Sequence, residues 1–133
     1  MHPTICHAFL STTDRQPDRA AVLHRPAPST PVWTTVNWAE YRQAVEAVAS
    51  GLIASGVQPG HRVAILSGTR WKWAVADLAI MGTGAVTVPI YQNSSPDDIA
   101  LILNNSGSDV LFCENQAAVE RFLLVRSACP AVR

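Results

Sequence analysis

The residues best placed for chemistry are polar side chains in three loops that each follow a predicted strand. These loops are Ser67-Gly68-Thr69, the segment Tyr91-Gln92-Asn93-Ser94-Ser95 and the pair Glu114-Asn115. Ligands of parallel α/β sheets bind beyond the carboxyl ends of the strands, so we expect a binding site, if the chain has one, at these loops.

The first loop could in principle face an anion. It lies between a strand and a helix, where backbone amides can face a phosphate or carboxylate. However, it contains a single glycine, Gly68, and lacks the lysine and spacing of a GxxxxGK[ST] motif. Ordinary helix capping is therefore the simpler interpretation. Gly82-Thr83-Gly84 has a GxG pattern, but it follows a helix and precedes a strand, the reverse of a dinucleotide-binding fingerprint.

The titratable side chains form no catalytic pattern in the sequence. The histidines are His2, His7, His24 and His61. They are in terminal or loop regions, and none has an acid at the sequence spacing of a catalytic triad or a metal site. Asp97 and Asp98 belong to a helix start, where negative charge offsets the helix dipole. Asp77 lies in an apolar helical stretch and either pairs with Lys72 or Arg70 or faces solvent, which we favour. We assign no catalytic, cofactor-binding or metal-binding residue.

The composition restricts the classes of partner. The chain has 133 residues, of which 48% are hydrophobic and 15% charged, and ten basic residues balance ten acidic ones. A nucleic-acid surface needs clustered Lys and Arg, and Arg70-Trp71-Lys72-Trp73 is the nearest approach to one, so we expect no nucleic-acid partner. The low charge indicates either a well-buried core or apolar surface that meets further protein.

The cysteines and the hydropathy profile favour the cytosol. Cys6, Cys113 and Cys129 are too scattered for a metal knuckle or a CxxC pair, as is usual in a reducing compartment. The first residues lack the pattern of a signal peptide, and no stretch is apolar for the eighteen or so residues that a spanning helix needs. We expect a cytoplasmic protein, and peripheral membrane contact stays open.

The N-terminal part is predicted to be a helix followed by a hairpin. The helix runs from about Pro3 to Gln16, with Ile5, Phe9 and Leu10 on its inner side, and Pro17 ends it. Two short strands then flank a proline-rich loop, and they are residues 20–24 and 32–36.

The next helix, residues 38–55, has the clearest local signals. Asn37 and Glu40 have the spacing of a capping box, and Gly56 is placed as a left-handed C-terminal residue. Arg42 and Glu46 are one turn apart on the outer face. The apolar side chains recur at steps of three and four, which places them on one face: Trp38, Tyr41, Val45, Val48 and Leu52.

Strands and helices then alternate. The predicted strands are residues 62–67, 85–90 and 109–113, and the predicted helices are residues 71–81, 96–104 and 116–127. We expect Trp71, Val75, Leu78 and Met81 to point inward from the first of these helices, and Ile99, Ile102 and Leu103 from the second. Ser95, Pro96 and Asp98 form a capping box with proline at the first helical position. This alternation predicts right-handed crossovers, a parallel sheet and a layered α/β fold with an N-terminal hairpin.

Two framework segments resemble the adenylate-forming (AMP-binding) superfamily. Residues 56–66 (GVQPGHRVAIL) resemble its GVxPGDRVAI stretch, and residues 84–89 (GAVTVP) resemble its GAVxVP segment. The resemblance extends from about Ala20 to Glu114. His61 stands where the superfamily usually has an acid, and Asn93 stands where a small hydroxyl residue is common.

Two further segments are similar to those of long-chain fatty acid–CoA ligases. They are residues 69–73 (TRWKW), similar to TRxEW, and Pro89-Ile90-Tyr91 followed by Ser94-Ser95, similar to PIYxTSS. A relative that acts on another carboxylic acid, and a free-standing, non-catalytic α/β interaction module, remain as alternatives.

The resemblance implies that residues 1–133 are the N-terminal portion of an AMP-binding domain, and that this portion is incomplete. The superfamily forms an acyl-adenylate from a carboxylate and Mg-ATP, and its CoA ligases then transfer the acyl group to CoA. The phosphate loop that ends in lysine, the adenine- and metal-binding acids and the C-terminal lysine would all follow Arg133. Fatty acid, ATP, Mg²⁺ and CoA are therefore implied for the whole enzyme, and we expect this chain to bind none of them and to be inactive by itself.

Overall fold

A computed structural model describes residues 4–27 and 29–133. The predictions for His2, and for a helix start at Pro3, lie outside these residues. The elements, in chain order, are α1 (Ile5–Arg15), β1 (Ala20–His24), β2 (Thr34–Asn37), α2 (Trp38–Ala54), β3 (Arg62–Ser67), α3 (Trp71–Gly82), β4 (Val86–Tyr91), α4 (Pro96–Ser106), β5 (Val110–Cys113), α5 (Gln116–Leu123) and a 3₁₀ turn (Arg126–Ala128).

Three parallel strands form the central sheet. Their order is β4-β3-β5, so the chain leaves β3 toward one side, forms β4, and returns past β3 to form β5. Ser67 pairs with Tyr91 across β3 and β4, and Leu66 pairs with Cys113 across β3 and β5. The predicted parallel α/β class is therefore confirmed.

Helices cover both faces of this sheet. Val63 and Ile65 of β3 belong to a buried cluster with residues of α2 and α3. Ala64 and Leu66 belong to a second cluster with residues of α4 and α5. Because successive strand residues point to opposite faces, β3 is apolar without alternation, as predicted. The result is a three-layer arrangement with two apolar cores.

The predicted hairpin is confirmed, but its second strand starts later than expected. β1 and β2 pair antiparallel, and the last pair is His24 with Thr34. Val32 and Trp33 precede β2 and are exposed, because β1 ends at His24 and offers them no ladder partner. The predicted strand over residues 32–36 is thus corrected to Thr34–Asn37.

The inward faces of two helices differ from the predictions. In α1 the buried residues are Phe9 and Thr13, whereas Ile5 and Leu10 are exposed. Thr13 tolerates burial because its hydroxyl donates to the Leu10 carbonyl at 2.8 Å. In α3 the buried residues are Val75, Ala76, Ala79 and Ile80, and Trp71 and Leu78 only pack against that cluster. Small alanines allow close approach to the sheet. Apart from Lys72 and Asp77 the residues of α3 are apolar or glycine, so the apolar spacing did not identify the buried face.

Strand β4 was predicted to be buried and is instead an edge strand in the described part of the chain. Val86 and Tyr91 are 52% and 74% exposed. The sequence does not reveal this, because the crossover that returns the chain to the other side of β3 leaves no local signal. The last helix was predicted to reach residue 127 but ends at Leu123, since the Val125 amide bonds to the Phe122 carbonyl and tightens the chain into a 3₁₀ turn.

Candidate functional site

The three loops singled out in the sequence meet at the carboxyl ends of β3, β4 and β5. The parallel register brings Ser67 beside Tyr91, and the Glu114 amide donates to the Leu66 carbonyl at 3.0 Å. The expectation that these loops share one edge of the sheet is therefore confirmed. We call this edge the carboxyl rim and define it as residues 67–70, 91–95 and 114–115.

Glu114 connects two parts of the carboxyl rim. Its Oε2 accepts hydrogen bonds from the Gly68 amide at 2.7 Å and from the Ser67 hydroxyl at 3.3 Å. Its Oε1 lies 3.2 Å from Nη1 of Arg70. The Gly68 hydrogen bond, assisted by the Arg70 charge, holds the pKa of the Glu114 carboxyl below its ordinary value although burial opposes this. Both oxygens of Glu114 are thus engaged by donors, and the side chain remains an anion.

Arg121 and Gly68 fix the loop that follows β4. Nη1 of Arg121, on α5, donates to the carbonyl of Gln92 and, at 3.2 Å, to that of Ser94. On the other side, Gly68 is packed so closely that a Cβ there would lie 2.1 Å from Oε1 of Gln92. Asn115 caps α5 by accepting from the Ala118 amide at 2.9 Å. The three loops are therefore tied to one another and to the flanking helices.

Three clefts open beside the carboxyl rim among the described residues. One of about 230 Å³ is lined by Gln92, Asn93 and Arg121 among others, and the other two share Trp73. The larger of these two, about 480 Å³, lies beside the ends of β3 and β4 and is lined by Ser67, Gly68, Thr69, Trp73, Pro89, Ile90, Tyr91, Gln92, Ser94 and Ile102. The smaller, about 180 Å³, lies between α3 and β5, and Arg70, Lys72, Cys113 and Glu114 contribute to its wall. Apolar walls with a few polar groups are typical of binding clefts rather than of solvent-filled gaps.

The chemistry available at the carboxyl rim is recognition and positioning. Glu114 accepts from Gly68 and Ser67 and pairs with Arg70, so its contacts hold loops together and we assign it no role as a base. Burial raises the pKa of the Cys113 thiol, which keeps that group protonated at neutral pH. Within residues 4–27 and 29–133, no group of three or more His, Cys, Asp or Glu side chains could hold a metal ion.

His61 forms a contact that the sequence analysis missed. Its Nδ1 lies 3.1 Å from Oδ2 of Asp109, and Nη2 of Arg133 lies 3.2 Å from the same oxygen. The sequence analysis found no acid at triad or metal-site spacing from His61, and the partner that the structure shows lies far away in the chain. His61 precedes β3 and Asp109 precedes β5, and parallel pairing places the starts of both strands side by side. This cluster lies at the amino ends of the strands, at the opposite edge from the carboxyl rim.

Other residues considered in the sequence analysis make contacts that stabilise the fold. His24 stacks on Trp71 with ring centroids 5.4 Å apart, and Asp98 completes the capping box with Ser95. Asp77 is only partly exposed, so the prediction that it faces solvent is only partly correct. It has no ion pair with Lys72 or Arg70 in the described structure, and together with burial its charge raises the pKa of Tyr41.

The family of this chain was identified by comparison with known proteins. The sequence profile described as "AMP-binding enzyme" matches residues 9–132. This chain belongs to the AMP-binding enzyme family. The resemblance found in its framework motifs is thereby confirmed, and the carboxyl rim is part of an AMP-binding fold.

Two curated relatives differ greatly in length. The chain is 44% identical over 102 residues to the long-chain-fatty-acid–CoA ligase FadD15 of Mycobacterium bovis, which is 77% of this chain and 17% of that ligase. It is 28% identical over 137 aligned positions to an uncharacterized protein of Mycobacterium tuberculosis, and that match covers 96% of this chain and 75% of the relative. The chain thus spans about a sixth of the ligase and most of the shorter relative.

A solved structure confirms the fold. The N-terminal subdomain of Klebsiella oxytoca NpsA, in complex with 3-hydroxyanthranilyl-AMSN, superposes with a TM-score of 0.76 at 24% sequence identity. The match covers 89% of this chain and 28% of the subdomain. The predicted parallel α/β fold is therefore correct, and it is similar to the fold of this N-terminal subdomain. Among the described residues, no helix is long and apolar enough to span a membrane.

Proposed function

We propose that residues 1–133 form the N-terminal portion of the adenylating domain of a long-chain fatty acid–CoA ligase. The observation that carries this proposal is the 44% identity to a ligase of that name over 77% of the chain. The segments at residues 69–73 and 89–95, which resemble those of fatty acid–CoA ligases, support it. In this proposal the protein is cytoplasmic and acts in fatty acid metabolism.

The proposed reaction of the whole enzyme has two steps. A fatty carboxylate attacks the α-phosphate of ATP, which releases pyrophosphate. The CoA thiol then loses its proton and attacks the acyl carbonyl of the adenylate, which forms the thioester and releases AMP. Mg²⁺ usually takes carboxylates and substrate phosphates as ligands, but both oxygens of Glu114 are engaged by Gly68, Ser67 and Arg70. Within the described residues no group of three or more His, Cys, Asp or Glu side chains could hold a metal ion, and we assign these residues no chemical step.

In this proposal the chain holds the strands and loops of the adenylating domain in place. The Glu114 and Arg121 contacts hold three loops at the carboxyl rim in one arrangement, and the two apolar cores hold the strands in register. Groups that stabilise the charge of an adenylation transition state must be fixed before the reaction, and a rigid sheet edge provides such a frame.

The chain by itself is expected to be inactive, because the described residues contain no group of three or more metal-binding side chains and none that we assign as a catalytic base. The measurement is pyrophosphate release from the purified chain with palmitate, ATP and Mg²⁺, with FadD15 as the positive control. Release that requires both palmitate and ATP would contradict this expectation.

Structural compatibility with a fatty acid–CoA ligase is tested with a chimera. This chain replaces the matching N-terminal segment of FadD15, and acyl-CoA formation is measured with a long-chain fatty acid, an aryl acid and an amino acid. We expect activity with the fatty acid. A chimera that unfolds cooperatively but is active only with another acid, or with none, would count against the proposal.

A non-catalytic interaction module is the second candidate. It is favoured by the uncharacterized relative, since this chain matches 75% of that protein's length. A module should be monodisperse and unfold cooperatively at high concentration. A portion of a larger domain exposes strand edges and should self-associate, so sedimentation velocity over a concentration series separates the two.

A further inference from the structure

The helices that follow β3 and β5 lie on opposite faces of the sheet. Val75 and Ile80 of α3, which follows β3, are buried in the cluster on one face. Ala118 and Phe122 of α5, which follows β5, are buried in the cluster on the other face. Because β3 and β5 are neighbours in the sheet, the loops that follow them diverge and leave a crevice at the carboxyl rim. Ligands of open α/β sheets bind in such a crevice.

The Glu114 side chain bridges this crevice. It follows β5, and it holds the loop after β3 through the hydrogen bond from the Gly68 amide at 2.7 Å and the ion pair with Arg70 at 3.2 Å. Arg70 directly precedes α3 and gives this helix no side-chain cap. Only 22% of the Glu114 side chain is exposed, so these contacts are largely shielded from competing water. Glu114 thus links the start of α3 to the end of β5.

Glu114 also stands between two of the clefts beside the carboxyl rim. The cleft of about 180 Å³ is on the α3 side, and its wall includes Ile65 and Ala76. The cleft of about 230 Å³ is on the α5 side, and its wall includes Leu66 and Ala118. Glu114 contributes to both walls. A shift of its carboxylate therefore changes the crevice on both faces of the sheet.

We propose that Glu114 is a positioning residue of the fatty acid–CoA ligase to which this chain contributes. It holds Gly68 and Arg70 and so fixes the width of the crevice between β3 and β5, and a substrate of the whole enzyme contacts a wall of this crevice. Glu114 acts through the loop after β3 and takes part in no bond that forms or breaks. This inference rests on the proposed function, and it goes beyond a role in stability because it concerns substrate binding.

The test uses the chimera in which this chain replaces the matching segment of FadD15. Glu114→Gln keeps the size of the side chain but places an amide donor against the Arg70 guanidinium. The matched control is Glu120→Gln, since the Glu120 side chain is exposed on α5 and accepts from Gln116 of the same helix. The kcat and the KM values for ATP and palmitate are measured at a temperature where circular dichroism shows every chimera to be folded.

We expect Glu114→Gln to raise the KM for ATP or for palmitate about tenfold, because a crevice wall that shifts binds its substrate less tightly. The Glu120→Gln control should keep both KM values. Loss of folded enzyme alone would lower kcat and leave both KM values unchanged. The KM values therefore separate positioning from stability, and the substrate whose KM rises is the one that contacts the crevice.

Arg70→Gln provides a second measurement. Because Arg70 and Glu114 act through the same contact, the double variant should raise the KM by less than the product of the two separate effects. Unchanged KM values in a folded Glu114→Gln chimera, an equal rise in the Glu120→Gln control, or a double effect equal to the product would overturn this inference alone. A folded chimera with the native chain but no activity would overturn the proposed function and this inference with it.

Discussion

At the scale of single residues, the Glu114 carboxylate connects the strand ends at the carboxyl rim through hydrogen bonds and an ion pair. It follows β5 and reaches across to the loop after β3, where it accepts from Gly68 and Ser67 and pairs with Arg70. A carboxylate that accepts a backbone amide and faces a guanidinium forms charge-assisted hydrogen bonds, which are stronger than neutral ones. Removing its charge should therefore loosen the loop and lower the stability of the chain.

Glu114→Gln is expected to lower the free energy of unfolding by about 1–3 kcal/mol. The glutamine oxygen can still accept from Gly68, but its amide nitrogen is a donor that would face the Arg70 guanidinium. The measurement is urea unfolding at neutral pH, with Glu120→Gln as control, since Glu120 is exposed and only contacts Gln116 one turn away. Equal midpoints for the two variants would contradict the role given to Glu114.

The stabilisation from Glu114 should depend on pH in one direction. The pKa of this carboxyl is lowered in the folded chain, chiefly by the Gly68 amide. Its contribution is therefore fully present above the ordinary carboxyl pKa and is lost as the pH falls through the lowered value. The difference in unfolding free energy between the native chain and Glu114→Gln should shrink toward zero in acid. A difference that stays constant from neutral to acid pH would show that charge is not its cause.

Gly84 is the glycine most constrained by its backbone. Its φ is +78°, and a Cβ there would lie 3.1 Å from Cβ of Pro59. Gly84→Ala should therefore destabilise the chain by about 1–2 kcal/mol or more. Gly82→Ala is the matched control two positions earlier. It ends a helix and has open space around it, so alanine should be neutral or stabilising there. Thermal unfolding compares the two, and similar melting temperatures would refute this account.

Residue contacts could be predicted from the sequence only where they are local. The capping box of Asn37 and Glu40 joins residues three positions apart and is present as expected, with both hydrogen bonds at 2.8 Å. The Glu114–Gly68 and His61–Asp109 contacts join residues on different strands. They depend on the register of a parallel sheet, which a single sequence does not specify. For this reason the loops of the carboxyl rim were foreseen and their connection through Glu114 was not.

At the scale of elements, α4 has the strongest start signal. The Ser95 hydroxyl accepts from the Asp98 amide at 3.2 Å, and Pro96 occupies the first turn. Ser95→Ala should cost about 1 kcal/mol of stability because this amide loses its partner. Ser94→Ala removes a hydroxyl from the preceding residue, which is not the cap, and should change little. Urea unfolding of both variants measures the difference, and equal loss in the two would count against the cap.

The faces of elements were harder to predict than the elements themselves. Strands β1 and β3 have the predicted bounds, since both combine apolar runs with clear turn signals. Helix α3 is apolar except for Lys72 and Asp77, so its sequence did not show that small residues such as Ala76 and Ala79 face inward. The exposure of β4 follows from strand order, which is set by the crossover and not by the strand's own residues.

At the scale of the whole molecule, the described sheet ends at β4 on one side and at β5 on the other. Neither outer edge pairs with another strand among the described residues. Exposed edges promote association with further strands, and large apolar side chains such as Tyr91, Leu101 and Leu124 are also exposed. These features agree with the proposal that the chain is one portion of a larger adenylating domain.

The length of the native polypeptide tests this proposal most directly. The measurement is the intact mass of the native protein that carries this sequence, together with the reading frame that follows the codon for Arg133. We predict a product much larger than 14.3 kDa, whose frame continues into a Ser/Thr/Gly-rich loop ending in lysine. A native product of 14.3 kDa, with a stop codon directly after Arg133, would contradict the proposal and favour the interaction module.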